Sequence, residues 1–146
     1  MSRTVSAISR KTGAAAWWGV AALYALMIFG LSSQSHPLGA DHWPLGSDKL
    51  AHALLYGGFS IVLGIALRRS WPGSSVGRLS VIAAGLAVLY GVSDEWHQSF
   101  VPFREMDGAD LVADAVGAGL AQWALWRLAR RGSRSGNRLI NASASR

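Results

Sequence analysis

Apolar residues gather into four runs, Ala14 to Leu31, Leu50 to Leu67, Leu79 to Val92 and Leu111 to Trp126. Each is near or somewhat under the roughly 20 residues that a bilayer-spanning helix needs. The last two reach that length only by including acidic residues at one end, so those ends dip polar groups toward the membrane. Proline and glycine punctuate the segments between: Ser32 to Ser47 holds Pro37, Gly39, Pro44 and Gly46, Ser70 to Gly77 holds Pro72 and Gly73, and Ser99 to Met106 holds Pro102. These residues interrupt helices. Asp48 and Asp107 offer side-chain oxygens to free amides at the starts of the second and fourth helices. The pattern predicts an all-α integral membrane protein, a four-transmembrane-helix up-down bundle.

The positions of the charges give this bundle a direction. Twelve of the fourteen basic residues fall before the first run, between the second and third, or after the fourth, from Arg3, Arg10 and Lys11 through Arg68, Arg69 and Arg78 to the arginines at and beyond Arg127. Lys49, Arg104 and all eight acids, Asp41, Asp48, Asp94, Glu95, Glu105, Asp107, Asp110 and Asp114, fall on the other side. Short basic loops stay cytoplasmic, so both termini are expected inside (N-in/C-in). Five tryptophans, Trp17, Trp18, Trp71, Trp123 and Trp126, sit at the basic ends, and Trp43 and Trp96 at or beyond the acidic ends. None falls at mid-membrane, as expected of a residue that prefers the headgroup level.

Composition agrees. The chain is 51% hydrophobic and 15% charged, against about 25% charged in a typical soluble domain. Its net charge of +6 would suggest nucleic acid in a soluble protein, but the bases here sit at helix ends, where they set membrane orientation and attract anionic lipid. No nucleic-acid partner is expected. With no cysteine, disulfides and thiolate chemistry are excluded. The first run follows a basic start, as a signal peptide would, but it is bulky and lacks a well-formed small-residue cleavage site, so an uncleaved helix is expected. The resulting organisation is a basic cytoplasmic N-terminus over 1–13, a membrane domain over 14–128 and a basic, flexible cytoplasmic tail over 129–146.

The chemistry concentrates at the acidic side. Asp48, His52 and Tyr56 recur at i, i+4 and i+8 of the second helix, with Lys49 three before His52. Tyr90, Asp94, His97 and Gln98 share a face of the third, with Glu95 one step round and better placed for a neighbouring helix or the interface. Asp107, Asp110 and Asp114 line one face of the fourth, above the small Gly117 and Ala118. Ionised groups at membrane depth cost on the order of 2.5 to 3.5 kcal/mol each, and two bases cannot neutralise so many acids. These groups must neutralise each other, hold protons or hold a ligand, and the excess of acids favours the last two for part of the set, with a divalent metal one way to offset it. Asp48, Lys49 and Asp107 also suit a purely structural role as caps and anchors, and Tyr56 and Tyr90 suit packing with one hydrogen bond each. His36, Asp41 and His42 fall in the first loop as solvated surface.

Three motifs, Asp48-Lys49-x-x-His52-x-x-x-Tyr56, Tyr90-x-x-x-Asp94-Glu95-x-His97-Gln98 and Pro102-x-Arg104-x-x-Asp107-x-x-Asp110-x-x-x-Asp114-x-x-Gly117, resemble the VanZ-like family of small membrane proteins. The Ser32-Ser33-Gln34 end of helix one is also similar. Two positions depart from the family pattern: Asp114 stands where Asn is usual, and Phe103 where Gly is frequent. The resemblance implies a place in the bacterial cell (inner) membrane and a role at the cell envelope, the family's namesake being associated with low-level resistance to teicoplanin, a lipidated glycopeptide.

Three functions follow as expectations. In the first, an outward pocket of Lys49, His52, Tyr56, Asp94, Glu95, His97, Gln98, Arg104, Asp110 and Asp114 binds or modulates a lipid-linked peptidoglycan precursor or a lipoglycopeptide. The second is a metal-assisted hydrolase or transferase acting on a lipid-linked substrate, with metal ligands drawn from His52, Asp94, His97 and Asp110. The third is proton or cation transfer, which would need an oligomer.

Overall fold

The structure is a computed structural model that describes the backbone of residues 2–35 and 47–144 and the side chains of residues 12–35 and 47–132. His36, Asp41, His42 and Trp43 lie outside the described residues. Within them the chain is all-helical, with α1 over Ser2–Ser32, α2 over Ser47–Ser70, α3 over Val76–Gln98 and α4 over Gly108–Ala144. The segments Thr12–Ser32, Ser47–Ser70 and Val76–Gln98 are long and apolar enough to cross a membrane.

Local chemistry explains the boundaries. Ser75 caps α3, its hydroxyl accepting from the Arg78 N–H at 3.3 Å. Asp107 caps α4 as the sequence predicts, its Oδ1 accepting from the Ala109 N–H at 2.8 Å. Asp48 stands one residue inside the first turn of α2, where its negative charge meets the positive end of the helix dipole. Two helices outrun their apolar stretches. α1 extends back to Ser2 and α4 on to Ala144, since neither flank contains proline and a polar, arginine-bearing segment can continue a helix already nucleated by the packed part.

Contacts at the two ends fix the topology. The C-terminal end of α1 meets that of α3 through Ser32 and Asp94, and the N-terminal end of α2 meets that of α4 through Lys49 and Asp107. At the opposite end the Trp18 indole donates to Ser70 Oγ at 3.0 Å and Arg68 to Ser80 Oγ at 3.2 Å. The helices therefore alternate up and down, with one acidic and one basic end. At the basic end arginines also stack on tryptophans, Arg127 on Trp123 and Arg130 on Trp126, both 4.6 Å from the ring centroid.

α2 and α4 approach almost backbone to backbone. A Cβ on Gly57 would lie 3.2 Å from the Gly117 carbonyl oxygen, and one on Gly117 would lie 2.6 Å from the Ala53 carbonyl carbon, too close for any real side chain. Below this seam Ser60 donates to the Ala118 carbonyl at 3.3 Å and Gln122 to the Ser60 carbonyl at 2.6 Å. Small residues that let backbones approach, with hydrogen bonds across the seam, are how helices associate without water to drive them.

The bundle has a hydrophobic core that includes Ile28, Phe59, Leu63, Leu67 and Leu79, but unlike a water-soluble one it also buries polar groups and shows an apolar exterior. Asp94, Glu95, Gln98, Asp114 and Gln122 are buried, while Leu23 and Leu26 of α1, Leu50 and Leu54 of α2, and Val81 and Leu89 of α3 face outward. α4 follows the same rule: Val112, Val116, Leu120 and Trp123 are exposed on one face, and Asp114 and Gln122 are buried on the other. Apolar surface of this extent marks contact with lipid or with another protein.

Candidate ligand site at the acidic end

The acidic end is built from the first turns of α2 and α4 and the last turns of α1 and α3. Lys49 Nζ is held by three carboxylates, 2.9 Å from Asp48 Oδ2, 2.5 Å from Asp107 Oδ2 and 2.7 Å from Asp110 Oδ1. It ties the start of α2 to the start of α4. Asp107 lies in the turn before α4, and the Lys49 ammonium, followed by the Ala109 N–H, holds its carboxyl below the usual carboxylate range.

One turn further along α2, His52 Nδ1 lies 3.0 Å from Asp114 Oδ1, and His52 Nε2 lies 3.7 Å from Asp110 Oδ2. An ionised carboxylate only accepts, so with Asp114 ionised Nδ1 is the donor and Nε2 is directed at Asp110. Asp114 itself is 0% exposed. Its other oxygen fits against α3 because residue 91 is glycine: a Cβ there would lie 2.8 Å from Asp114 Oδ2 and 3.3 Å from the Tyr56 ring. The departure from Asn at position 114 thus places a full carboxylate against the histidine.

The third helix divides its polar residues between two neighbours. Asp94 turns to α1, its Oδ1 accepting from Ser32 Oγ at 2.5 Å and its Oδ2 from Gln98 Nε2 at 3.2 Å. Arg104, from the α3–α4 turn, donates to Gln98 Oε1 at 2.6 Å and completes a chain from α1 to that turn. His97 also turns to α1, with Nε2 3.1 Å from Ser33 Oγ and its ring 4.5 Å from that of Phe29. Tyr90 donates to the Ala25 carbonyl at 2.7 Å. Glu95 points the opposite way, toward α4, where its Oε2 accepts from the Asp107 N–H at 2.8 Å.

This geometry changes the expected metal-ligand set. His52 and Asp110 come together, but Asp94 and His97 do not join them, because positions 94 and 97 share the face directed at α1. Glu95, one step or about 100° further round the helix, meets the α4 face instead. His52, Glu95 and Asp110 each place one ligand atom within 4.8 Å of the others. Tyr56 also departs from expectation. Its hydroxyl is buried without a regular hydrogen bond, beside the Asp94 carboxylate, and its ring stacks on His52 at 6.2 Å.

A cavity of about 290 Å³ opens between α1, α2 and the end of α3. Ile28, Leu31, Ala51 and Leu55 form its apolar wall, and Ser32, Gln34, Asp48, His52, Tyr56, Asp94, Gln98 and Arg104 its polar side. Of the ten residues expected to form the pocket, Lys49, Glu95, Asp110 and Asp114 stand behind this surface, on the α2–α4 side, and His97 lies on a separate shallow groove with Phe29 and Phe100. Ser32 and Gln34 are site residues that side-chain periodicity misses, since they end an apolar run singly; their place in the Ser32-Ser33-Gln34 match was the available signal.

Phe103, in the turn before Arg104, has φ 64°. That left-handed conformation favours glycine, the residue frequent there in the family to which the motifs point. A search of curated proteins and a search of solved structures each return no match. The family model described as VanZ/LLP1 matches residues 11–130, which takes in α2, α3, most of α1 and α4 and every residue of the site, and the chain belongs to that family.

Proposed function

We propose that the chain is a four-span protein of the bacterial cell membrane, with α4 as the fourth span and both termini cytoplasmic, whose outward cavity binds the headgroup region of a membrane-anchored amphiphile. The ligand class is a lipid-linked envelope precursor or a lipoglycopeptide, which the protein binds or modulates. The observation that carries this is the two-sided lining of the cavity: aliphatic residues of α1 and α2 on the wall, and His52, Asp94, Gln98 and Arg104 opposite them. An acyl chain lies along the first surface while polar headgroup atoms meet the second. The fourth span is supported by the outward row Val112, Val116, Leu120 and Trp123, and the orientation by the basic residues at the opposite end.

The test is native mass spectrometry of the detergent-purified protein with added lipid-linked peptidoglycan precursor or teicoplanin, beside Arg104→Ala and Asp94→Asn. Wild type retains the ligand and the folded variants lose it, with a parallel change in cellular susceptibility to lipoglycopeptide. Equal retention by all three proteins would remove this reading.

A second reading, a hydrolase or transferase acting on a lipid-linked substrate, is favoured by one feature. His52 is oriented by Asp114 at 3.0 Å, the pairing that prepares a histidine to accept a proton. Release of a cleaved headgroup from the precursor by wild type and not by His52→Ala would select it.

A further inference from the structure

Behind the cavity, on the α2–α4 side, Glu95 presents an unanswered carboxyl oxygen. The residue is 2% exposed. Its Oε2 accepts the Asp107 N–H at 2.8 Å, and its Oε1 is buried with no hydrogen-bond partner. A carboxylate oxygen left this way is costly unless something positive meets it. Lys49 is already committed to Asp48, Asp107 and Asp110 Oδ1.

The neighbours of Glu95 supply what a cation needs. His52 Nε2 and Asp110 Oδ2 are 3.7 Å apart, too far for a hydrogen bond but near the spacing of two ligands that each hold one ion at about 2.0–2.2 Å. The Asp114 carboxylate at Nδ1, 3.0 Å away, orients the imidazole as carboxylates orient metal-bound histidines. We propose that His52, Glu95 and Asp110, one from each of α2, α3 and α4, form a divalent-cation site. One imidazole and two carboxylates, without sulfur, suit Zn²⁺ or Mn²⁺. Three protein ligands leave a coordination position for water or ligand, and His52, which also lines the cavity, places the ion beside it.

The site rests on neither reading of the cavity and is tested without lipid. Chelator-stripped protein in detergent is titrated with Mn²⁺, followed by the loss of the free-ion electron paramagnetic resonance signal, and with Zn²⁺, followed by elemental analysis after gel filtration. Wild type binds one equivalent of at least one ion and gains thermal stability from it. Glu95→Gln, which keeps an acceptor for the Asp107 N–H, and His52→Ala bind at least ~10-fold more weakly and lose that gain. Asp94→Asn, whose carboxylate faces α1, binds as wild type although the cavity reading has it lose lipid. A wild type that binds neither ion stoichiometrically, or a Glu95→Gln protein that binds within twofold of wild type, overturns the proposal. If Glu95→Gln does not fold, Asp110→Asn and His52→Ala carry the same comparison.

Discussion

Ser32 at the end of α1 donates its hydroxyl hydrogen to Asp94 Oδ1 of α3 at 2.5 Å, across 62 residues of sequence and in a buried setting. The bond holds α1 against one side of the cavity, and both residues line it.

Removing that hydroxyl leaves a buried carboxylate oxygen short of its donor. Ser32→Ala is expected to destabilise the protein by about 1.5–3 kcal/mol, the range for hydrogen bonds to charged groups. Reversible unfolding in mixed detergent with increasing denaturing surfactant measures this, and Ser33→Ala, whose exposed hydroxyl donates to the Phe29 carbonyl, should cost clearly less. Equal effects would mean that the bond to Asp94 contributes nothing special.

Phe103 is 85% exposed and sits at φ 64°, a conformation that costs a residue with a Cβ about 1–2 kcal/mol. Phe103→Gly removes that cost but adds freedom to the unfolded chain, roughly 0.4–1 kcal/mol in the opposite sense. The net expectation is a gain of up to about 1.6 kcal/mol. Phe103→Val, β-branched and still left-handed, should lose stability. Thermal melts of the three proteins decide the order.

Asp107 links the helix starts through Lys49, and its pKa is depressed in the folded protein by that ion pair and by the Ala109 N–H. Its contribution is therefore fully present above the ordinary carboxylate range and is lost as pH falls through the depressed value. Asn also caps helices well, so Asp107→Asn removes the charge while keeping the cap. The melting temperature of wild type should exceed that of Asp107→Asn near neutral pH, and the gap should close under strongly acidic conditions. The gap should be modest, because the pair is solvent-facing. A gap that widens on acidification would contradict the sign.

The helices and the facing stripes were legible because membrane residence makes polarity informative. A polar side chain inside a 20-residue apolar run has to face a neighbour, so His52 and Asp114 announced their inward direction before any contact was known, whereas Asp48, at the start of α2, is exposed. Helical spacing also separated Glu95 from Asp94. What spacing could not supply was which neighbour each face meets. Asp94 and His97 share a face that meets α1, so they do not join His52, and the acid set aside as one step round is the one beside Asp110. Ser32 was nearly silent for a related reason: one hydroxyl at the end of a run carries no periodicity. The reach of α1 and α4 beyond their apolar stretches was hidden as well, since helical continuation there does not register in hydropathy.

The seam at Gly57 and Gly117 acts as a calibrated spacer for the chemistry above it. Gly117 lies three residues from Asp114 and faces Ala53, the residue next to His52, so any side chain added at 117 must push α4 away from α2. The same displacement stretches the 3.0 Å contact between His52 and Asp114. Methyl-sized change at a position with no reactive group is thereby transmitted to the histidine, and the tolerance of the site to substitution is set by the thickness of a backbone one turn below it.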